Sequence, residues 1–253
     1  DAEQSWMNSW AQTKGVDPER VTVVNDTRIE NVADAVADLA LYFRSQLIHN
    51  EPILLVIDSV AAMDCADNID SKMTDAKAEM GGRAKALYKY FRIRSELFYR
   101  LGVTQIYINQ LRTALNVGFG KDNTTTTGGA ALKFYASIRA AFYSGRSVTI
   151  KQNGKERKAG KLVTIRLIKN KVAPPRPTIS KCPVYFNPKF HEVGFDRCYA
   201  LEDVLVDTDV IEKTTGGYKL KGKTLARGEE KFQKLLEEDD ELRRKLLRKA
   251  GVN

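Results

Sequence analysis

The sequence has few of the features that mark disulfide-rich, membrane-spanning or secreted proteins. Its 253 residues include three cysteines, Cys65, Cys182 and Cys198. Their odd number, wide spacing and lack of a CxxC pair argue against a disulfide scaffold or structural zinc site, and favour a reducing compartment. No uncharged apolar run approaches the roughly 20 residues that cross a bilayer. The sequence does not open with a basic stretch followed by an apolar one, so nothing in it predicts a secretion signal.

The composition predicts a globular chain with one basic region. Hydrophobic residues make up 43% of the sequence and the formal net charge is +9, which excludes the apolar-poor, highly charged composition of a disordered protein. Between residues 139 and 181 there are twelve lysines and arginines but one acidic residue, Glu156. The basicity therefore belongs to one segment, which is either a polyanion-binding face or a solvated hairpin.

Alternating strand and helix patterns predict an α/β fold with a mostly parallel central sheet. Short β-branched or apolar runs predict strands at 21–24, 53–57 and 104–108. Apolar residues at three- and four-residue spacing predict helices over 29–49 and 84–101. Strands joined by helical crossovers imply parallel pairing, so we expect the strand at 53–57 to be buried on both faces.

The second half of the chain has a different pattern. Segment 111–129 contains four glycines and predicts a loop that is mobile or becomes ordered on binding. Residues 133–186 predict strands with a hairpin turn at Asn153-Gly154. We expect a core domain over 1–195 and a small α+β domain over 196–253. One last helix of that domain is predicted to carry a single apolar face, formed by Phe232, Leu235, Leu236, Leu242, Leu246 and Leu247.

The apolar run 53–57 ends in Asp58 and Ser59, a pattern that indicates a nucleotide site. Ligands bind at the carboxyl ends of strands in open α/β sheets. An aspartate at such a position commonly holds Mg²⁺ beside a bound nucleotide. The pattern alone is weak, because many buried strands end in aspartate.

A match to the phosphate-loop pattern GxxxxGK[ST] occurs at 217–224, but its context argues against that function. A phosphate-binding loop follows a buried strand and opens a helix, so that backbone N–H groups face the phosphate. Residues 212–216 have no buried-strand pattern, and the match follows Asp58 in the chain, against the usual order. The sequence favours a β-hairpin here.

The order of several motifs resembles the bacterial RecA recombinase family. The motifs are Asp1-Ala2-Glu3, LLVIDSVAA (54–62), MGGRAKAL (80–87), INQLR (108–112), FG…TTTTGGAALKFYASIR (119–139), IKNKVAPP (168–175) and GGYKLKGKTLARG (216–228). The resemblance covers nearly the whole chain and implies a RecA-like P-loop ATPase core with a small C-terminal domain. The family's N-terminal helix and Walker A loop have no counterpart in the sequence, so we expect a C-terminal fragment of a RecA-like protein, with departures that suggest a phage-encoded member.

The resemblance implies ATP and Mg²⁺ as cofactors. Glu3 matches the catalytic glutamate that orients the attacking water. Asp58 matches the ligand of the Mg²⁺-bound water, and Ser59 is its neighbour. Gln110 matches the glutamine that senses the γ-phosphate, and Trp10 stands where an aromatic ring stacks on adenine, although Met7 replaces an acid nearby.

Lys169 and Lys171 match lysines that reach the ATP of a neighbouring protomer and neutralise transition-state charge. Alternation along a strand would point both ammonium groups to one side. Each nucleotide-site residue also has a plainer interpretation: a helix-capping acid for Glu3, core packing for Trp10, a strand-end cap for Gln110 and a general basic face for the two lysines.

The resemblance also implies two DNA-binding loops, 64–80 and 111–129. The matching positions are Met80, Gly81, Arg92, Arg112, Leu115, Thr127, Gly128 and Gly129. The arginines would contact phosphates, the glycines would let backbone N–H groups approach them, and the leucine would insert between base triplets. Arg166 matches a residue that holds incoming duplex DNA, whereas Tyr143 and Ser144 replace expected arginines. Other cations near the hairpin are expected to compensate: Arg146, Lys151, Lys155, Arg157 and Lys158.

The resemblance implies a DNA-dependent ATPase of the cytoplasm, without a membrane partner. It would self-assemble into a helical filament on single-stranded DNA and pair that strand with homologous duplex DNA in recombination and repair. The chain alone, without a Walker A loop, is expected to show negligible ATPase activity. The alternative is a non-catalytic module that binds single-stranded DNA or modulates filaments. A replicative helicase is a third hypothesis, but it would not need the TGG-ALKFYAS motif.

Overall fold

The computed structural model describes residues 1–47, 51–71, 81–113, 124–152, 154–173, 178–190, 192–196, 198–199 and 201–251. The chain has a mixed α/β fold, as the sequence predicted, and divides into two compact units, Asp1–Ala136 and Ser137–Asn253. Within the described ranges, no helix has both the length and the apolar character needed to cross a membrane.

The first unit contains a parallel strand pair and the helices around it. Its elements are α1 (Asn8–Thr13), a 3₁₀ turn (Pro18–Arg20), α2 (Ile29–Gln46), β1 (Ile53–Ile57), a 3₁₀ turn (Val60–Ala62), α3 (Ala66–Asp70), α4 (Gly82–Arg100), β2 (Val103–Tyr107), β3 (Leu111–Thr113), β4 (Thr124–Thr126) and α5 (Ala131–Tyr135). β1 pairs with β2 in parallel, and β3 pairs with β4 antiparallel. The predicted helices and both strands of the parallel pair are therefore present, with small shifts of their ends.

The core of the first unit lies between the two long helices and one face of β1 and β2. The buried side chains of α2 and α4 recur at three- and four-residue spacing; they are Ile29, Val32, Val36, Ala37 and Ala40 in α2, and Leu87, Tyr90, Phe91 and Phe98 in α4. On the opposite face of the strands, Leu54 is 58% exposed and Val56 is 45% exposed. The expectation that β1 is buried on both faces is therefore wrong for the described chain, in which one helical layer covers the pair.

The second unit is built around antiparallel strands. Its elements are β5 (Ile138–Gln152), β6 (Lys155–Asn170), β7 (Thr178–Tyr185), β8 (Gly194–Phe195), α6 (Leu201–Asp207), β9 (Glu212–Thr214), β10 (Gly217–Leu220), β11 (Lys223–Ala226), α7 (Glu229–Glu238) and α8 (Asp240–Lys249). β5 to β8 form one sheet in sequence order, and β9 to β11 form another. The predicted hairpin joins β5 to β6, whose ladder is interrupted by bulges near Arg139, Ser144 and Val148.

The sheets differ from the predicted mostly parallel arrangement. Among the described strands, only β1 and β2 pair in parallel, whereas the larger sheets are antiparallel. A separate hydrophobic core joins α6, α7, α8 and β10, and its buried residues are Cys198, Leu201, Leu205, Ile211, Tyr218, Phe232, Leu236 and Leu246.

Two further predictions fail. Residues 21–24 form no ladder with any described residue, because β-branched side chains favour extended backbone but a strand needs a partner. The predicted single last helix is divided at Asp239, which leaves helical geometry. The Asp239 carboxylate accepts the backbone N–H of Leu242 at 2.8 Å and so caps the start of α8.

The GxxxxGK[ST] match forms a β-hairpin, as the sequence context predicted. β10 pairs antiparallel with β11, and the turn residues Lys221 and Gly222 have φ of 49° and 77°. Positive φ at both central residues is the geometry of a type I′ turn. Because a strand rather than a helix follows Gly222, this segment lacks the helix N-terminus that a phosphate-binding loop requires.

Candidate functional site

Three residues predicted to act on a nucleotide meet at the end of β1. The backbone N–H groups of Ala2 and Glu3 donate to the carbonyl oxygen of Asp58 at 2.8 and 3.3 Å. The buried Ser59 hydroxyl donates to Oε1 of Glu3 at 2.5 Å. A carboxylate that lies far away in the sequence is therefore held beside the half-buried Asp58 by both backbone and side-chain hydrogen bonds.

The end of β2 lies at the same edge of the sheet. The N–H of Ile108 donates to the carbonyl of Ile57 at 3.0 Å, and the N–H of Val60 donates back to Ile108 at 2.9 Å. Gln110 follows, with an exposed side chain and its backbone N–H bonded to the Asn109 side chain at 2.9 Å. The parallel pairing thus brings Gln110 to the edge that carries the carboxylates, although β2 itself ends three residues earlier.

The glycines predicted to contact DNA are fixed against α4. The Asn109 amide donates to the carbonyl of Thr127 at 2.8 Å, which joins this segment to the end of β2. Gly128 has φ of 90°, and a Cβ there would lie 2.4 Å from Cδ1 of Leu87. Gly129 has φ of 71°, and its Cβ would lie 3.0 Å from that of Ala84. Both positions therefore need glycine for conformation and for close packing.

Arg92 lies in an open basic groove of about 450 Å³ on α4. The groove is lined by Ala84, Lys85, Tyr88, Lys89, Arg92, Ala130 and Ala131. Sequence reasoning selected only Arg92 of the groove's three cations. The available signal was the spacing of positions 85, 88, 89 and 92, which places them on one helical face. Three exposed cations around an exposed tyrosine are suited to a nucleic-acid backbone and its bases.

The other predicted DNA-contacting residues are less informative. Gly81 begins α4 with φ of 105°, and a Cβ there would meet no atom within 4 Å. Arg112 lies exposed in β3, opposite Thr125 of β4. Met80 and Leu115 lie outside the described residues.

The start of the predicted loop 64–80 is anchored to its surroundings. The Asp64 carboxylate accepts the backbone N–H of Cys65 at 2.8 Å, the Asn68 amide at 2.9 Å and the Arg83 guanidinium at 2.8 Å. Burial opposes the charge of Asp64, but these donors outweigh burial and lower the pKa of the carboxyl group. Asp64 therefore fixes the first residues of this segment to α4.

Trp10 is 56% exposed, which argues against the core-packing interpretation. The Lys14 ammonium lies 4.8 Å from the centre of its ring. An open cleft of about 610 Å³ lies nearby in the same segment and is lined by Asp1, Gln4, Trp6, Met7, Asn8, Ser9, Val23 and Asn25. The ring is available for stacking, but no described hydrogen bond connects it to the cluster at the end of β1.

Lys169 and Lys171 lie at the end of β6, in the second unit. Lys169 is half-buried and stands opposite Arg139 in the ladder, whereas Lys171 is exposed. Partial burial and the charges of Lys171 and Arg139 lower the pKa of Lys169. Arg139 thus joins a three-cation cluster that sequence reasoning missed, because its position depends on the β5–β6 register.

Arg166 lies on the same hairpin, exposed, with its guanidinium 5.4 Å from the centre of the Tyr143 ring. The two residues occupy neighbouring positions of β6 and β5. Tyr143 stands where the resemblance led us to expect an arginine, and here its ring supports the guanidinium of another arginine through a cation–π contact.

The donors at the end of β1 fit a magnesium–nucleotide complex better than an all-protein metal centre. Within the described part of the chain, no group of three or more His, Cys, Asp or Glu side chains could hold a metal ion. Mg²⁺ instead prefers oxygen ligands, keeps several waters, and is commonly held by one or two carboxylates together with phosphates. Asp58 and Glu3 supply two such carboxylates at one sheet edge.

Comparison with known proteins agrees with this arrangement. The RecA N-terminal domain family matches residues 1–187. Protein RecA of Corynebacterium glutamicum (strain R) is 32% identical over 256 residues, which cover 100% of this chain and 63% of that protein. Protein RecA of Corynebacterium diphtheriae is 33% identical (96% and 60% covered), and that of Picosynechococcus sp. is 31% identical (100% and 67% covered). The chain belongs to the RecA family, and it spans about 63% of the length of the first of these relatives.

Proposed function

We propose that the complete protein is a DNA recombinase of the cytoplasm, a DNA-dependent ATPase that forms filaments on single-stranded DNA and catalyses pairing and strand exchange in recombination and repair. The observation that carries this proposal is the hydrogen-bonded cluster of Glu3, Asp58 and Ser59 at a sheet edge shared with Gln110. The names of the similar proteins support the same function.

In this proposal the first unit supplies one side of an ATPase site. Bound ATP and Mg²⁺ supply the phosphoryl group and the charge that polarises it. Asp58 would hold the metal, and Glu3 would orient the attacking water. Ser59 fixes the Glu3 carboxylate through its hydrogen bond. Gln110 reads the γ-phosphate, and Trp10 stacks on the base.

The second unit supplies the other side of the site in a neighbouring copy. Lys169 and Lys171 neutralise charge on the transferred phosphoryl group, and Arg139 adds a third cation to their cluster. Catalysis would then require the assembled filament. We further propose that β1 and β2 belong to a larger, mostly parallel sheet of a core ending near 195, because parallel sheets occur almost only where helices cover both faces, and Leu54 and Val56 leave one apolar face of this pair exposed.

DNA would bind to both units. The α4 groove and the glycines packed beside it would hold the single strand, together with Arg112. Met80 and Leu115 would contact DNA as the resemblance implies. Arg166, supported by Tyr143, would hold the incoming duplex.

The test of catalysis is Glu3→Gln in the complete protein. Loss of the water-orienting carboxylate should lower DNA-stimulated kcat by about 10²- to 10⁴-fold, with nucleotide affinity unchanged. Ser59→Ala should cause a smaller loss, because it only removes the hydrogen bond that fixes Glu3. The exposed Glu19 provides a matched control, Glu19→Gln, which should be silent. Hydrolysis by Glu3→Gln at the unmodified rate would overturn the catalytic assignment.

The α4 groove favours a second candidate, a module that binds single-stranded DNA without catalysis. Lys85→Gln/Lys89→Gln should lower the slope of log K against log salt by about 0.7 for each phosphate that these lysines neutralise. Arg100→Gln, at the far end of the same helix, should leave the slope unchanged. Normal DNA affinity in a complete protein that does not hydrolyse ATP would favour the module over the recombinase.

A further inference from the structure

The hairpin of β5 and β6 extends beyond the rest of its sheet. β7 pairs with β6 from Gly160 to Arg166, and the contact nearest the turn is the N–H of Phe186 with the carbonyl of Ala159, at 3.1 Å. Residues 149–152 and 155–158 pair only with each other. At roughly 3.3 Å per residue, this distal ribbon, 149–158, projects by about 13 Å.

The distal ribbon is strongly basic. It carries four cations against one acid, Glu156, and the cations are Lys151, Lys155, Arg157 and Lys158. All four are exposed, and none forms an ion pair with another described residue. Lys158 also lies 5.9 Å from the centre of the Phe186 ring. An excess of cations over acids on a projecting ribbon favours a polyanion as the ligand.

The four cations are divided equally between the two faces of the ribbon. The ladder pairs Lys151 with Glu156 and Thr149 with Lys158, which places Lys151 and Lys158 on one face. Lys155 and Arg157 alternate with these positions and lie on the other face. A flat anionic surface could contact only one pair at a time, whereas a groove with phosphates along both walls would contact both.

We propose that the distal ribbon enters the major groove of duplex DNA, an inference that rests on the proposed DNA-binding function. The major groove of B-form DNA is about 12 Å wide and about 8.5 Å deep, and it admits a two-stranded ribbon. The minor groove, about 6 Å wide, is too narrow for one. At the turn, Gly154 has no side chain, and a Cβ there would meet no atom within 4 Å. The cations of each face would contact the phosphates of one wall.

The test compares the two faces in the full chain. Lys151→Gln/Lys158→Gln and Lys155→Gln/Arg157→Gln should each weaken binding to a short B-form duplex. Each should also reduce the salt slope by about 0.9 for every phosphate that the replaced side chains neutralise. Comparable losses of affinity from both faces are expected. A loss of duplex affinity in only one of the two variants would indicate contact with a flat surface. No loss of affinity in either variant would exclude the ribbon as a DNA contact. Either result would overturn the proposal.

A second measurement identifies the groove. Methyl green, which occupies the major groove, should compete with the chain for the duplex, whereas netropsin in the minor groove should not. The reverse result would overturn the proposal. Double-stranded RNA should bind more weakly and respond less to the four substitutions, because its major groove is too narrow for side chains to read. Equal binding and equal losses with RNA would also contradict groove insertion.

Controls separate this proposal from the proposed function. Lys231→Gln/Lys245→Gln removes two exposed lysines of α7 and α8 and should leave duplex binding unchanged. Both ribbon variants should retain single-strand binding by the chain and the circular dichroism of the folded state. If single-strand binding is absent in the complete protein, the proposed function fails. If it persists while the ribbon variants bind duplex normally, only the ribbon proposal fails.

Discussion

The two compact units hold their charged groups in different ways. In Asp1–Ala136, the Asp64 carboxylate has three hydrogen-bond donors and the Glu3 carboxylate is tied to Ser59. On the hairpin of Ser137–Asn253, exposed cations are spread over both faces of a ribbon. Fixed geometry suits chemistry at one atom, whereas a spread of cations suits binding to many phosphates. The first unit therefore carries groups suited to positioning reacting atoms, whereas the hairpin carries groups suited to binding a polyanion.

The second unit also contains a fixed polar network, but it lies in the C-terminal core. Glu202 is 7% exposed and accepts hydrogen bonds from Lys213 and from the Tyr218 hydroxyl, both at 2.6 Å. Tyr218 stacks on Phe232 with ring centres 4.3 Å apart, and burial raises the pKa of Tyr218 to about 12. This network stabilises a core, because Glu202 and Tyr218 are buried and Lys213 is the one member that reaches the surface. The contrast between the units therefore concerns their exposed groups.

The largest expected effect tests whether the units are independent. Phe98→Ala in the first core and Phe232→Ala in the second each remove a fully buried ring, and each should lower the free energy of unfolding by about 3–5 kcal/mol. Both tryptophans, Trp6 and Trp10, belong to the first unit, so any change in their fluorescence arises in that unit. Phe98→Ala should shift the fluorescence transition, and Phe232→Ala should shift only the circular dichroism. Equal shifts in fluorescence would mean that the units unfold together.

The next effect concerns the glycines beside α4. Gly128→Ala should lower the free energy of unfolding by about 2–3 kcal/mol, because it combines a positive φ with a clash against the buried Leu87. Gly81→Ala has a similar φ but open space, and it should lower the stability by only about 1 kcal/mol. Urea denaturation followed by fluorescence checks both. Equal losses would show that packing contributes nothing at position 128.

A smaller expected effect concerns the stability of the first unit in acid. Asp64→Asn should lower the free energy of unfolding by about 1–2 kcal/mol, since it weakens the bonds to Arg83, Asn68 and the Cys65 N–H. Because the folded pKa of Asp64 lies below its unfolded value of about 3.9, its stabilisation is complete above that pH and disappears as the pH falls through the folded pKa. The unmodified chain should therefore lose fluorescence-detected stability more steeply in acid than Asp64→Asn. Parallel acid profiles would contradict this account.

The smallest expected effect concerns the exposed cations on the hairpin of the second unit. Lys155→Gln/Arg157→Gln should change the free energy of unfolding by less than about 0.5 kcal/mol, because both side chains are exposed and make no ion pair among the described residues. Thermal unfolding by circular dichroism measures it. A loss as large as that of Asp64→Asn would show that these cations stabilise the fold rather than await a ligand.

Local patterns allowed the sequence to predict much of the fold. β1 begins and ends where its apolar run does, and the hairpin of β5 and β6 follows from the Asn153-Gly154 signal and the strands around it. The strand predicted at 21–24 failed because pairing depends on a distant partner. The exposure of Leu54 was missed for the same reason, since a continuous apolar run does not show how many layers cover it.

The sequence predicted which residues belong to the candidate site, but it did not predict how they are arranged. The family motifs selected Glu3, Asp58 and Gln110, but only the parallel pairing of β1 and β2 and the Ser59 bond bring them to one edge. Lys85 and Lys89 were missed although their helical spacing was visible. Arg139 could not have been found, because bulges shift the register that places it opposite Lys169.

Those bulges have a consequence for how the hairpin can change in evolution. Side chains alternate between the two faces of a strand, so an added or deleted residue moves every later side chain to the opposite face. Near Arg139, Ser144 and Val148 the ladder already contains such offsets, and they fix which side carries Lys169 and Arg166. The hairpin should therefore accept exchanges of one amino acid for another far more readily than insertions or deletions, and homologous hairpins should vary in composition while keeping their length.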